Sequence, residues 1–473
     1  MEVTLEQMLQ AREMRAFRQQ SRIGQYAMPI VSFSMNIPGP VKDSACIRRG
    51  FFAGCGALER NLSPEVVKER QIFPSVTGYE AIYVVDMEPA ALKAITTRVE
   101  DTHPLGRLFD MDVIDLDLRK LDREQVGGGA RNCLVCGAPG RGCASRRVHS
   151  VAQLQAAVRT MLTDYFQQLD AQRIGRLAVQ SLLNEVYTTP KPGLVDRNNS
   201  GSHRDMDLTT FETSAHALEP YFCRCAAVGM ATQQESPAAA FAALRQAGLQ
   251  AEQTMFQATN GVNTHKGAIF TIGLLCGGAG RLWTPEGYGT EEALLRQVSA
   301  MTAEAMESDF HHAGNTVGQR LYAQYGIRGI RGEVAQGLPS VANLGLPVFR
   351  AGLKQGWDWN LSGAVTLLHL IARVQDTNMI ARGGMEGAKA GAYKASQLLP
   401  TPSVSQIEEL DRGSSRKTYP PAAAQTCWPQ FTLWMDCMGS RAFGKRKNCK
   451  RESIGGGELR QFSFSRAVVS ERG

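Results

Sequence analysis

The hydrophobic period of this chain changes once, near Val151, and that change argues for two kinds of architecture in series. Before it, strand-like and helical runs mix. VSFSMNI (31–37) and AIYVVDM (81–87) read as strands, the second rich in β-branched and aromatic residues, and RLFDMDVIDLDL (107–118) alternates as a third. Helical stretches lie between them, around 44–58 and 89–99. After Val151, LQAAVRTMLTDYFQQL and RIGRLAVQSLLNEVY carry helical spacing. Helical candidates then follow at 211–232, 237–258, 266–282, 290–307, 314–326, 361–376 and 386–398. The expectation is a multidomain protein. An N-terminal mixed α/β (α+β) domain spans 1–168, and a C-terminal mostly α-helical domain spans 169–412. A basic tail over 413–473 is expected to be disordered or poorly packed.

The net charge of +7 belongs to that tail. Of 52 Lys/Arg and 45 Asp/Glu, 11 and 4 lie in 413–473, so the first 412 residues carry 41 of each sign. The body is neutral, and the tail lacks ordered aromatic interleaving, which argues against a nucleic-acid partner. The N-terminus MEVTLEQMLQ is polar and helix-prone, without a signal-type apolar run, and no stretch reaches the about 18 apolar residues that span a bilayer. Eleven scattered cysteines, an odd number, favour reduced thiols. A cytoplasmic protein with no membrane partner is expected.

Three features of the first part carry chemistry. Pro38-Gly39-Pro40 forces a tight turn after the first strand, and Lys42, Asp43 and Ser44 follow it, with Ser44 a helix N-cap candidate. Asp110 and Asp112, two apart on a strand, share one face and can hold Mg²⁺, with His103 and Arg107 nearby. Cys133-x₂-Cys136-x₆-Cys143-x₅-His149 has the ligand types of a zinc site, although x₆ is short for a zinc finger. A few reduced cysteines at a domain edge are the alternative.

In the second part, Pro190 and Pro192 end a helix, and an irregular loop then presents Lys191, Asp196, Arg197, Asn198, His203, Arg204, Asp205 and Asp207. ATNGVNTHKGAIFTIGLL sets Asn263, Thr264, His265 and Lys266 before an apolar helix of small residues, where backbone N–H groups suit a phosphate. It is not a Walker loop. Residues 314–341 carry Arg320, Arg328, Arg331 and Glu333 around glycines, and Arg forks suit polyphosphate. At QDTNMIARGGMEG (375–387) a glycine pair should break the helix, leaving Asp376 and Arg382 to face a ligand.

VSFSMNIPGPVKDS, THPLGRLFDMDV and RNCLVCGAPGRGCASRRVHS resemble, in order, segments of the apo-citrate lyase phosphoribosyl-dephospho-CoA transferases, over roughly 10–160. The four segments of the second part resemble triphosphoribosyl-dephospho-CoA synthase, over about 172–410. Together they resemble the fused family that carries both activities. A close relative serves malonate decarboxylase; the fused transferase favours citrate lyase. The resemblance implies that ATP and 3′-dephospho-CoA are substrates and that adenine leaves as 2′-(5″-triphosphoribosyl)-3′-dephospho-CoA forms. Its phosphoribosyl-dephospho-CoA then passes to a serine of the citrate lyase acyl carrier (gamma) subunit, with loss of pyrophosphate. Lys42, Arg107 and Mg²⁺ on Asp110 and Asp112 would stabilise charge in the transfer. In the synthase, Asp196 or Asp205 would deprotonate the attacking hydroxyl or steady an oxocarbenium-like centre. Asp207 and Asp376 are Mg²⁺ candidates. Lys191, Lys266, Arg331 and Arg382 would line the triphosphate, with Arg197 and Asn263 as further nucleotide contacts. His265 or His203 would protonate the adenine.

The family normally closes with a segment like NLSPGGSADLLA. Here the chain runs DRGSSRKTYPPAAAQTCWPQ instead. Codons for Lys417 to Pro429, read from each third base, permit that family segment in full, which suggests a frameshift near Arg412. Two readings follow: a bifunctional enzyme, or a transferase and assembly factor whose synthase half is inactivated by the altered C-terminus.

Overall fold

The computed structural model describes residues 2–311 and 317–415. The expected poorly packed tail lies, from 416 onward, outside the described residues. Its first three residues, 413–415, continue the last helix.

The N-terminal part is built on a four-stranded antiparallel sheet. Its strands are β1 (Ile30–Met35), β2 (Val67–Phe73), β3 (Glu80–Val85) and β4 (Phe109–Ile114), in the order β2-β3-β1-β4. β3 and most of β1 are buried apolar runs, as central strands should be. β4 alternates, so Phe109, Met111 and Val113 enter the core while Asp110 and Asp112 share the opposite face. β2 was not expected from VKERQIF. It is a charged edge strand, and that charge protects an unpaired edge while hiding the strand from a hydrophobicity reading.

The helices α1 (Leu5–Tyr26), α2 (Ala45–Arg60) and α3 (Pro89–Thr102) flank this sheet. α2 and α3 cover the apolar face, where Phe33 stacks on Phe51 with ring centroids 5.1 Å apart. α1 lies over the opposite, mixed face, where Ile23 packs on Ile30, Ile82 and Val84, tied by Arg15 to Glu80 at 2.7 Å and by Gln19 to Ser32 at 2.8 Å. Beyond β4, a short helix α4 (Gly140–Ser145) precedes α5 (Val151–Tyr187), which runs unbroken for 37 residues through the expected boundary at 168.

The rest of the described chain is helical: α6 (Leu208–Ala217), α7 (Glu219–Ala231), α8 (Pro237–Ala258), α9 (Lys266–Arg281), α10 (Glu291–His311), α11 (Val317–Tyr325), α12 (Gly329–Ala335), α13 (Leu346–Lys354), α14 (Trp359–Arg373), α15 (Thr377–Leu398) and α16 (Val404–Ser415). α7 and α9 pack at backbone distance: a Cβ on Gly280 would stand 2.1 Å from the Ala226 carbonyl oxygen. The small residues at 276–280 are therefore a packing device. α15 kinks at Gly384 (φ 68°, ψ 176°), where the glycine pair was expected to break it. One apolar core runs from Phe33 and Phe109 through Leu162, Phe166 and Ile174 to Phe222 and Leu275, so both parts share it. Among the described residues no helix is long and apolar enough to cross a membrane.

Candidate functional site

A polar cleft of about 180 Å³ opens at the end of the sheet. Ser34 and Asn36 leave β1 into it, Asp110 reaches it from β4, and Lys42 from the turn at Pro38–Asp43. Arg12 and Arg15 enter from α1, and Arg48 from the first turn of α2. Ser44 caps α2 by accepting the Ile47 N–H at 3.2 Å, which aims the Lys42 turn at the cleft. The Lys42 ammonium donates to the Ile37 carbonyl. Burial first, and Arg12 second, hold its pKa below the usual lysine range. Arg12 makes no ion pair among the described residues.

Asp110 and Asp112 face the same side, as expected. Asp112 is paired with Lys120, and burial followed by the charge of Asp110 pushes its carboxyl upward. Arg107 is not among the cleft-lining residues. It lies half-buried near Arg131, with its Nε unpartnered, and burial and then Arg131 lower its pKa. His103 is structural: its Nδ1 accepts the Leu105 N–H at 3.0 Å, and burial, then Arg60, lowers its pKa to about 4. Arg12 and Arg15 escaped the sequence reading. The available signal was the spacing of Arg12, Arg15, Arg18 and Arg22, one face of a helix.

The second site is the loop 188–207. Asp196 is buried and holds the loop's shape. Its Oδ2 accepts the Lys191 N–H at 2.8 Å, and its Oδ1 accepts those of Asn198 and Asn199 at 2.8 and 3.1 Å. With both oxygens so engaged, it is poorly placed to act as a base. Lys191 is buried too, its Nζ 2.8 Å from Glu185 Oε1, so it reaches no triphosphate at the surface. Asp411 of α16 closes the loop from 218 residues away, accepting the Gly193 N–H and the Asn199 amide, each at 2.8 Å. Burial pushes the Asp411 carboxyl upward. No local pattern marks Asp411.

Around this rigid loop stand His203, Asp205 and Arg382. Burial first, then Arg382, lowers the His203 pKa, while Asp205 opposes them. His203 Nε2 is buried without a partner. Asp205 is exposed. Arg197 lies over the Tyr187 ring at 4.8 Å.

Two expected metal ligands are helix caps instead. Asp207 caps α6 through the Thr210 N–H at 2.9 Å, and the Thr210 hydroxyl and N–H lower its pKa. Asp376 caps α15 through the Asn378 and Met379 N–H groups and is buried, so it does not face a ligand. Arg382, also expected to face a ligand, is exposed. His265 is buried, its Nδ1 2.8 Å from Ser214 Oγ and its ring edge-on to Phe211. Burial, then Lys191, lowers its pKa to about 3, so it is neutral and no proton donor near pH 7.

Lys266 and Arg331 meet in a groove of about 360 Å³. Phe241, Leu244, Ile269 and Phe270 supply its apolar wall, and Lys266 pairs with Glu252 at 2.7 Å. Arg331 Nη1 is buried there without a partner. Asn263 is exposed beside it, its Oδ1 accepting the Lys266 N–H at 3.4 Å. An apolar wall with two cations suits a nucleotide: a base on one side and phosphates on the other. Elsewhere, the ligand atoms of Cys133, Cys136, Cys143 and His149 all lie within 4.8 Å of one another.

Comparison with known proteins matches two family models in series. Residues 3–165 match apo-citrate lyase phosphoribosyl-dephospho-CoA transferase, and residues 171–422 match ATP:dephospho-CoA triphosphoribosyl transferase. The chain is 35% identical over 409 residues to Protein CitXG of Haemophilus influenzae, covering 84% of this chain and 86% of that one. It is 32% identical over 408 residues to Protein CitXG of Leuconostoc mesenteroides subsp. cremoris, covering 81% and 84%. It is 38% identical over 252 residues to the 2-(5″-triphosphoribosyl)-3′-dephosphocoenzyme-A synthase of Pectobacterium atrosepticum, covering 53% and 84%.

Proposed function

Because the chain belongs to the CitXG family, with a CitX part followed by a CitG part, we propose that it makes the citrate lyase prosthetic group and attaches it to the acyl carrier subunit. In the first reaction the 2′-hydroxyl of 3′-dephospho-CoA attacks C1″ of the ATP ribose. The bond from C1″ to adenine breaks, adenine leaves, and the triphosphate stays on the product. The observation that carries this reading is the loop held in shape by Asp196 and Asp411, on which His203 feels the charges of both Arg382 and Asp205.

Asp205 is the exposed carboxylate there, and it takes the hydroxyl proton or steadies the oxocarbenium-like centre. His203 loses its charge to burial and Arg382, so as a neutral imidazole it accepts or relays a proton. Arg382, Lys266 and Arg331 bind the triphosphate, and the apolar groove beside Lys266 takes the base.

In the second reaction the carrier serine attacks the α-phosphorus and pyrophosphate leaves. Lys42, Arg12 and Arg48 meet the developing charge in the cleft. Asp110 and Asp112 fit Mg²⁺, because their mutual repulsion in a half-buried setting is what a divalent cation relieves. Mg²⁺ bound there would neutralise the pyrophosphate leaving group.

The test is adenine release, followed by chromatography, from protein given ATP, Mg²⁺ and 3′-dephospho-CoA. Adenine that appears only when both nucleotides are present supports the reading. A second reading rests on Asp411, which closes the synthase loop just before the chain departs from the family's closing segment. In that reading the synthase half is inactive and the protein is a transferase and assembly factor. It requires no adenine, with transfer to the carrier still seen from preformed triphosphoribosyl-dephospho-CoA.

A further inference from the structure

The segment between β4 and α5 has no core of its own; among its described residues only Leu121 and Leu134 pack, partly buried, against the main one. Among the described side chains of residues 131–150 none is buried. Yet the backbone here is well organised. Cys133 N–H donates to Ala138 O at 2.7 Å, Gly140 N–H to Arg131 O at 2.8 Å, and Asn132 bridges Pro139. A short segment that buries so little apolar surface needs a staple, and a metal or a disulfide is the usual one.

Four candidate ligands occupy its centre. Cys136 Sγ lies 3.5 Å from Cys143 Sγ, and His149 Nε2 lies 3.3 Å from Cys136 Sγ. The cysteines are not disulfide-bonded. A tetrahedral zinc with Zn–S of about 2.3 Å and Zn–N of about 2.0 Å places its ligand atoms about 3.5–3.8 Å apart, close to these separations. The backbone is arranged for it. Val135 N–H points at Cys133 Sγ at 3.5 Å, and Gly137 takes φ 71° to turn the chain after the second cysteine, where a Cβ would be strained. The x₆ spacing, short for a finger, is spanned by that turn and by α4, which brings Cys143 back to the first pair.

We propose that Cys133, Cys136, Cys143 and His149 bind one Zn²⁺ as a closed structural site. Four protein ligands leave no open position for water or substrate. The site clasps the join between the two catalytic parts. Arg131, at its upstream end, holds Glu100 at 2.9 Å and the Phe109 carbonyl at 2.6 Å, at the start of the strand bearing Asp110. Immediately downstream of His149, Ser150 caps α5, accepting the Gln153 N–H at 3.2 Å. Metal binding therefore fixes the path from the transferase sheet into the long helix.

The experiment is zinc content by elemental analysis of the full chain purified under reducing conditions, beside Cys136→Ser, Cys143→Ser and, as a control, Cys223→Ser. Wild type and the control should carry about one zinc per chain, and the two ligand variants close to none. Co²⁺ in place of zinc should give the thiolate charge-transfer absorption of a tetrahedral site in wild type only. Chelation should open 127–149 to protease while the remainder stays folded. Wild type that neither holds zinc nor takes it up on reconstitution would overturn the proposal, as would ligand variants that keep full occupancy.

Discussion

Arg49 of α2 holds Asp170 of α5 with a fork of two bonds, Nη2 to Oδ1 at 2.8 Å and to Oδ2 at 2.9 Å. Trp283 Nε1 donates to the same carboxylate at 2.8 Å, and the Arg49 guanidinium lies 4.0 Å over the Phe166 ring. Asp170 is 2% exposed. One buried carboxylate therefore joins the transferase sheet's helix, the long helix and the end of α9. Asp170→Ala strands Arg49 and the indole N–H and should cost about 3 kcal/mol. Because the core is shared, both activities should fail at one lowered unfolding midpoint. Separate transitions in the variant, with transfer surviving, would show that the join is not cooperative.

Much of this arrangement was legible in the chain and some was not, for identifiable reasons. The strands at 31–37 and 81–87 and the helices at 237–258 and 266–282 are strongly periodic or uniformly apolar, and each appears within a few residues of its expected place. The charged edge strand β2 carries no such period. At the candidate sites, residue type did not specify which atoms each side chain would engage. Asp196, Asp207 and Asp376 were read as catalytic or metal-binding acids, yet each satisfies backbone N–H groups. A carboxylate's local bonding is decided by the turn around it, which residue type alone does not specify. Asp411 joins the loop 188–207 from far along the chain, and no local spacing foretells such a contact.

In the proposed transfer reaction Lys42 and Arg12 meet the developing charge in the cleft they line. Lys42→Met should lower the rate of serine modification by about 10² with the fold intact. Since burial and Arg12 both hold the Lys42 pKa down, its cation is lost at lower pH than an ordinary lysine's, and transfer should fall early on the alkaline side. Arg12→Gln removes one of the two causes. It should slow transfer and move the alkaline limb to higher pH. A limb that stays put in this variant would assign it to another group.

His265 makes stability depend on pH. The native imidazole stays neutral down to about 3, whereas the unfolded chain takes up a proton below 6.5. Between those values the unfolded state binds more protons, so stability rises with pH across the window and is fully present above 6.5. Urea unfolding at pH 7.5 and at pH 5 should differ by about 2 kcal/mol from this residue. His103, lowered to about 4, acts in the same direction. His265→Gln should lower stability at both pH values and flatten the slope between them. An unchanged slope would remove His265 from the account.

Asp411 separates the two catalytic parts. It fixes Gly193 and Asn199, and through them the loop that presents His203 and Asp205. Asp411→Ala leaves the buried Gly193 N–H without its acceptor and releases the more exposed Asn199 amide, at about 1–3 kcal/mol. The loop loses its positioning before the protein loses its fold, and a displacement near 1 Å at a reacting centre costs about 10² in rate. Adenine release should therefore drop by about that factor, while serine modification from preformed triphosphoribosyl-dephospho-CoA keeps its wild-type rate. Asp411→Asn, which still accepts one N–H, should fall between. If wild type and Asp411→Ala release adenine equally, the loop does not carry the glycosyl transfer, and the groove at Lys266 and Arg331 becomes the place to look.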